Sequence, residues 1–326
     1  MSRGLLNPVL VAAGLGAFAA TAPVLAADRY PERPIRMLVP FAVGGNADLL
    51  ARIIGQKLGE SLGQQIIIDN RAGAAGVIGT ELAARAAPDG YTLLFTASGH
   101  AINPGLYTKL PFDTEKDFTA ISLVGSTPLI ITVNPALTAK TVKELVALAK
   151  SHPGALNHAS AGNGSPGHLA GALFNSINGI SILHVPYKAT AQAFTDLISG
   201  QMQVMYPSAT SVLPHIKAGK LRALAITGRQ RSTLAPDIPT AGEAGLPGYE
   251  ASIWNGILVP AGTPKPIVDQ LHATIVKVVQ TADAKTRIAG LGADVAVSSP
   301  EQFSEFISAE LKKWNRVIKQ SNIRID

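Results

Sequence analysis

The chain has 326 residues, 47% hydrophobic and 15% charged, which excludes a disordered polymer and fits one large globular domain or two ordinary ones. Its formal charge of +6 comes from scattered lysines and arginines, and with 5% aromatics there is no basic stretch interleaved with stacking rings, so nucleic acid is excluded as the partner. The absence of cysteine removes both a disulfide framework and a lipid-bearing thiol.

Arg3, the apolar run Leu5 to Phe18 and the small-residue end Val24-Leu25-Ala26 before Asp28 read as a secretory signal peptide, residues 1–26. Its apolar core is short for a membrane anchor and no basic cluster follows it. No later stretch reaches the roughly 18 apolar residues of a membrane span. An exported protein is expected.

The mature part opens with an extended Tyr30-Pro31-Glu32-Arg33-Pro34. Ile35 to Val39 is then a short apolar run, read as a buried strand, and Leu50, Ile54, Leu58 and Leu62 recur at helical spacing behind it. Between the two lies Pro40-Phe41-Ala42-Val43-Gly44-Gly45-Asn46-Ala47-Asp48, a turn that would leave the helix N-terminal N–H groups unpaired, with Asn46 or Gly45 as the cap. Such an end can hold a carboxylate or phosphate without a lysine or arginine. An ordinary strand–turn–helix unit with no ligand has the same pattern.

Ile66 to Ile68 predicts a second strand, residues 69–76 a flexible loop, Val77 to Ala86 a helix, and Tyr91 to Phe95 a third strand after the turn Pro88-Asp89-Gly90. That alternation starts a parallel sheet. Ser98 follows at a strand's carboxyl end, either a ligand contact or the cap of the next turn. Residues 103–113 read as loop. Ile121 to Gly125 and Leu129 to Val133, broken by Ser126-Thr127-Pro128, read as an interrupted strand passing between domains.

The second half repeats the grammar. Thr141 to Glu144 is a capping box opening a helix, and Ala155 to Ser160 a strand that runs into Ala161-Gly162-Asn163-Gly164-Ser165-Pro166-Gly167-His168, a second glycine turn before a helix. The turn satisfies G-x-G-x-x-G, but the acidic residue expected about 20 positions on is missing, so a dinucleotide site is rejected. Further strands are expected at 181–185, 203–206, 221–227 and 253–259, and helices at 191–199, at 213–218, after Thr263-Pro264 and after the capping box Ser299 to Gln302. On the last helix Phe303, Phe306, Ile307, Glu310, Leu311, Trp314 and Ile318 keep the helical period, placing Trp314 in the core.

The seven histidines form no metal motif, and no G-x-S-x-G, P-loop or kinase pattern occurs. Ser165 and His168 share one first turn without an acid to orient the imidazole, which argues against a catalytic pair. Two glycine-rich helix N-termini facing each other would hold a small dianion. A binding module is therefore expected before an enzyme.

Arg33-Pro34-Ile35-Arg36, Pro40-Phe41, Gly44 to Asp48, Asn70-Arg71-Ala72-Gly73, Pro88-Asp89-Gly90-Tyr91, His184-Val185-Pro186-Tyr187-Lys188, Gly219-Lys220-Leu221-Arg222 and Pro260-Ala261-Gly262-Thr263-Pro264 together resemble the Bug family, the periplasmic solute-binding receptors of tripartite tricarboxylate transporters. The resemblance spans the mature chain in order. It implies an α/β type II periplasmic binding protein with a ligand cleft between two domains, residues 28–127 plus 250–326 and residues 128–249. It implies a carboxylate ligand, integral membrane transporter subunits as partners and a periplasmic location. No cofactor and no metal are expected, and a monomer is expected because it suits a diffusing receptor.

By the same resemblance the ligand loops map onto Phe41 to Asp48 and Ser160 to Ser165. Gly44, Gly45, Asn46, Gly164 and Ser165 are expected to donate to the carboxylate, Asp48 to hold a water or orient the loop, and Phe41 and Tyr206 to wall the cleft. Ser98, Ser160 and Ala161 complete the expected site. Val43 stands where the family usually has proline, loosening the first loop. The alternatives are a sensor presenting its ligand to a histidine kinase and an exported enzyme acting on small carboxylic acids.

Overall fold

The computed structural model describes residues 30–325. The expected signal peptide lies outside the described residues. Ten strands form two five-stranded sheets. The first contains β1 (Ile35–Val39), β2 (Ile66–Asn70), β3 (Thr92–Ala97), β4 (Phe118–Pro128) and β10 (Ser252–Pro260), in the order β2-β1-β3-β10-β4. The second contains β5 (Ile130–Val133), β6 (Asn157–Ser160), β7 (Leu183–Pro186), β8 (Val204–Met205) and β9 (Arg222–Ile226), in the order β7-β6-β8-β5-β9.

The two sheets share one plan. In each, three parallel strands come from a strand–helix–strand–helix–strand run, and the fourth position is taken by a strand antiparallel to its neighbours, β10 in one and β5 in the other. The run Ile35 to Val39 is buried but for Arg36, as an interior parallel strand must be. Because β1 and β6 each lie between the other two parallel strands, the turns leaving them sit at a topological switch point, where open sheets take ligands.

From β1 the chain enters α1 (Asn46–Leu62), which buries Leu50, Ile54 and Leu58 and stops at Gly63 with φ of 70°. From β6 it enters α5 (Pro166–Asn178), which stops at Gly179 in the same left-handed geometry. The expected loop at 103–113 instead begins inside a helix, α3 (Gly99–Leu106), with Pro104 within it. The helices α2 (Val77–Ala84), α4 (Val142–Ser151), α6 (Thr190–Ser199), α7 (Ala209–Lys217), α8 (Lys265–Val279) and α9 (Ala282–Gly290) complete the layers, and α9 had no expected counterpart. No described helix is long and apolar enough to cross a membrane.

The break expected at Ser126-Thr127-Pro128 is part of β4, and the chain changes sheet at Leu129. Thr227, fully buried, ties this crossing to the returning strand. Its hydroxyl accepts from Leu129 N–H (2.9 Å) and lies 2.7 Å from the Ala251 carbonyl as a donor, while its own N–H donates to the Leu129 carbonyl (2.9 Å).

The last helix, α10 (Pro300–Gln320), opens with the expected capping box at Ser299 and Gln302. Its first half packs Phe303, Ile307 and Leu311 with Leu38, Leu94 and Trp254 of the first sheet. Its second half packs Trp314, Val317 and Ile318 with Leu169 and Phe174 of α5. One helix thus belongs to both cores. Between the halves, buried Glu310 accepts from both indoles, Trp254 at 3.3 Å and Trp314 at 2.9 Å, and pairs with Lys313.

Candidate functional site

The first loop is built on a buried carboxylate. Asp48, 1% exposed, accepts from the Gly44 N–H (2.8 Å), from Arg52 Nε (3.0 Å) and from Asn70 Nδ2 (2.9 Å). Asn70 also reaches the Phe41 carbonyl at 3.2 Å. Burial acts to raise the Asp48 pKa, but the bonds from Arg52, Gly44 and Asn70 outweigh it and hold the carboxyl below its usual range. Gly44, at φ of 82°, takes the left-handed turn that brings its N–H to Asp48.

These bonds decide which donors the loop can offer. The Gly44 N–H is engaged by Asp48, and the Gly45 N–H points at Ala42 O from 3.4 Å. Gly45 is the N-cap, with no side chain to cap the helix, and Leu49 N–H is the first to bond back, to Gly45 O at 2.9 Å. The N–H groups of Asn46, Ala47 and Asp48 therefore have no acceptor among the described residues. Val43 is 72% exposed and Phe41 half-buried beside them.

Two further segments border this loop. Ser98 stands at the N-cap of α3 without a side-chain cap bond, its N–H donating to Trp254 O (3.0 Å) and its hydroxyl unbonded among the described residues. Gly99 and His100 present first-turn N–H groups without an acceptor among the described residues. The loop expected to be flexible contains a tight turn in which Gly73, Ala74, Ala75 and Gly76 all have positive φ, and Asn103 Nδ2 fastens it through Ala75 O at 3.0 Å. Two left-handed alanines cost about 1–2 kcal/mol each.

The second loop is built on histidines. Ser160 and Ala161 leave β6, and Gly162 N–H donates to Ser160 Oγ (3.1 Å). Gly164 N–H donates to His168 Nδ1 (3.1 Å), Ser165 N–H to Gly162 O (3.3 Å), and the Ser165 hydroxyl caps α5 by accepting from His168 N–H (3.3 Å). Ala161, Asn163 and Gly167 keep N–H groups without acceptors among the described residues. The ring of His184, on β7, lies 2.6 Å from Ser160 Oγ through Nε2 and stacks on His168, centroids 3.6 Å apart at 8°. Burial pushes His168 and His184 down to about 4 and His158 down to about 3, with neighbouring histidines adding to the shift of the last two.

Tyr206, expected to wall the cleft, is 1% exposed and packs between His158 and Phe174, where burial raises its phenol far above the ordinary value. Beyond it, α7 starts after Ser208, which bridges to Leu129 so that the Ala209 N–H faces the Pro128 carbonyl, and Thr210 N–H has no acceptor among the described residues. Each loop also touches the other half of the chain. Asn46 Nδ2 donates to Leu291 O (3.2 Å), and neighbouring Gly292 lies so close to Thr210 that a Cβ there would come within 1.7 Å of its methyl. Gly164 packs on Leu106 of α3 in the same way, a Cβ meeting it at 3.2 Å.

The arrangement can hold an anion by uncharged backbone donors from α1 and α3 on one sheet and from α5 and α7 on the other. No cluster of three or more metal-ligating side chains occurs among the described residues; His168 and His184 stack face to face, and His158 lies tilted against them. Ser160 and His184 form a serine–histidine pair that sequence spacing did not suggest, but the hydroxyl is 1% exposed and no carboxylate is bonded to the imidazole. A separate cavity of about 900 Å³ lies at the outer edge of β4, floored by Trp254 and Phe306 and rimmed by Arg229 and Lys285. It shares no residue with either loop.

Arg52, Asn70 and His184 escaped sequence reasoning. Asn70 meets Asp48 from the end of β2, a pairing that exists only once β1 and β2 are side by side in register, Val39 opposite Asn70, whereas Arg52 meets it as an i,i+4 neighbour on α1 that the spacing could have shown. The repeated grammar of the two halves was the signal that could have found His184, opposite His158 on β7 as Asn70 is opposite Val39.

Residues 50–323 match the family described as "Tripartite tricarboxylate transporter family receptor". BugT of Bordetella pertussis is 37% identical over 325 residues, 98% of this chain and 100% of that protein. Among solved structures, the R. palustris protein Rpa4515 with adipate has a TM-score of 0.72 at 33% identity, covering 91% of this chain and 100% of that one. The periplasmic binding protein BugD has a TM-score of 0.68 at 34% identity, again covering 91% and 100%.

Proposed function

The chain belongs to the tripartite tricarboxylate transporter receptor family, made up of solute-binding receptors such as periplasmic BugD, and from that premise we propose that it captures a small carboxylate-bearing metabolite between its two domains. The domains meet near residues 127–128 and 249–250. The protein works as a periplasmic monomer that delivers its ligand to the membrane subunits of a tripartite transporter. Closing around the ligand is what distinguishes the loaded form, so the ligand must favour the closed state by its differential affinity.

The observation that carries this reading is the set of unpaired N–H groups at the starts of α1, α3, α5 and α7, two helices on each sheet. Uncharged donors held by a folded backbone suit a carboxylate at each end of a short chain, and the adipate held by Rpa4515 is such a molecule. The donors expected at Gly44, Gly45, Gly164 and Ser165 have internal acceptors here. The reading therefore places the carboxylate on Asn46 and Ala47 and, across the cleft, on Asn163 and Thr210, with Ser98 Oγ in reach.

The test is thermal unfolding of mature protein, refolded to remove bound metabolite, with adipate and with its diamide. Native-state binding raises the melting temperature as RT ln(1 + [L]/Kd) grows. A rise with the acid and none with the diamide is expected. Equal shifts with both would refute carboxylate recognition, and a screen of mono-, di- and tricarboxylates without any shift would refute the site.

A further inference from the structure

We infer that His168 and His184 are positioning residues of the second loop, a stacked pair of neutral imidazoles that fix Gly164 and Ser160 and without which the loop cannot hold a carboxylate. The inference rests on the reading of residues 160–165 as a ligand loop. Its geometry does not. Gly164 N–H donates to His168 Nδ1, so that nitrogen carries a lone pair and the ring proton sits on Nε2. Gly164 has φ of 71° and is followed by Ser165, which caps α5 on the same residue, His168, through its backbone N–H. One histidine thus closes the loop onto the helix that follows it.

The other histidine closes it onto the strand before. Ser160 Oγ receives the Gly162 N–H and has two neighbours that could take its single proton, Gly162 O at 3.0 Å and His184 Nε2 at 2.6 Å. The two rings lie flat on one another at 3.6 Å, and His158 stands 4.9 Å from His184 with Nδ1 buried and unbonded. Neutral imidazoles tolerate this stack. A proton on His168 Nδ1 would set donor against donor at Gly164, and two charges would repel across the stack.

Among the described residues the surroundings offer such charges no anion. From β6 the pair is faced by His158, which in turn packs against the phenol of Tyr206 from the chain after β8. On the side of α6, Asp196 is engaged by Tyr187 Oη at 2.6 Å, and Lys188 beyond Tyr187 is exposed. α10 meets α5 with Trp314, Val317 and Ile318, while its Arg316 and Lys319 are exposed, as is Arg324 of the C-terminal segment. His184 is only partly buried, so protons reach the pair from solvent.

The experiment compares wild type with His168→Asn, His168→Ala, His184→Gln and the double variant His168→Asn/His184→Gln, using adipate as the probe. Asn places Oδ1 where Nδ1 was, and Gln places an amide where Nε2 was, without an imidazole to titrate. At pH 7 the Asn and Gln variants should keep adipate affinity within about threefold, and His168→Ala should lose at least tenfold. From pH 7 to 4 wild type should lose at least tenfold more affinity than the double variant, which carries the titration of adipate itself. Hydrogen exchange of the Gly164 amide should be slow in wild type and His168→Asn and fast in His168→Ala. That readout needs no ligand, so it judges the positioning role even if adipate binds no variant. Equal binding by folded His168→Ala, a double variant as acid-sensitive as wild type, or Gly164 exchange indifferent to residue 168 would each overturn the inference.

Discussion

Asp48 sits in the first turn of α1 with one cation, Arg52, one backbone amide and one carboxamide around it, and with its carboxyl sealed from water. Replacing it by Asn keeps the shape and removes the charge. The new amide N–H₂ then faces donors it cannot accept from, and Arg52 loses its partner. Because Arg52 is itself 45% exposed, the ion pair adds little, and the cost is that of a buried amide facing unsatisfied donors, about 1–3 kcal/mol. Urea unfolding of Asp48→Asn should show most of that loss, and a change below about 0.5 kcal/mol would mean that Asp48 does not hold the loop. Acid acts through other residues first. His100, His158, His168 and His184 are pushed below 6.5 by burial, so the folded state resists protons that the unfolded chain takes up. The sign follows from linkage: stability is unaffected above about 6.5 and falls as pH drops towards 4, by up to about 1.4 kcal/mol per pH unit for each histidine. Asp48 and Asp69, whose pKa values are lowered, add their loss only below the ordinary carboxylate range. Unfolding free energies measured from pH 7.5 to 4 should trace this decline, and a flat profile between 6.5 and 4.5 would contradict it.

At the scale of elements, α10 is seated by a missing side chain. A Cβ on Gly256 of β10 would lie 2.2 Å from Cζ of Phe303 and 3.1 Å from Ser122 O, so the ring fits only against bare backbone. Gly256→Ala must push Phe303 out of its site or bend β10, at a cost of about 1–3 kcal/mol. Thermal unfolding checks it: a melting temperature lowered by less than a degree would show that the ring has room. This helix also shows what a sequence can convey. Its capping box, its period and the burial of Trp314 are local patterns and were legible, as were β1, the glycine turn and α1. α3 was not, because Gly99, Asn103, Pro104 and Gly105 all speak against a helix and it is tertiary packing that holds it: a Cβ on Gly105 would collide with Asn315 and Ile318 of α10. α9, whose only buried residues are Ala284 and Ile288, has too faint an apolar face to be read. In the site, the positions of the two loops followed from strand, glycine and helix signals. The donors they offer did not, since Gly44 and Gly164 are engaged by Asp48 and His168, whose side chains could not be aimed without coordinates.

At the scale of the whole molecule, the proposed closure would need a balance between an open and a closed form. The two sheets are joined at Leu129 and by the chain that returns into β10, pinned together at Thr227, and the sheet order puts β1 and its loop on one side of β10 and β4 on the other. The 900 Å³ cavity lies at the outer edge of β4, where Asp294 pairs with Ser126 and also accepts from Thr233 N–H (3.2 Å) and Oγ1 (2.7 Å). Its walls come from α9 and α10 on one part of the chain and from the 228–233 loop on the other. A rotation about the crossing strands that narrows the gap beside β1 must widen the gap beyond β4. Filling the cavity should therefore act as a wedge that favours closure. Ala289, on α9 and lining the cavity, is the place to try it: Ala289→Trp should tighten adipate binding by about three- to tenfold, because a larger fraction of the free protein is already competent. The radius of gyration of the free variant by X-ray scattering should move towards that of the loaded wild type. Weaker binding with a larger radius would mean that the cavity closes together with the ligand cleft, and the rotation axis would then have to be placed elsewhere than at Leu129 and Thr227.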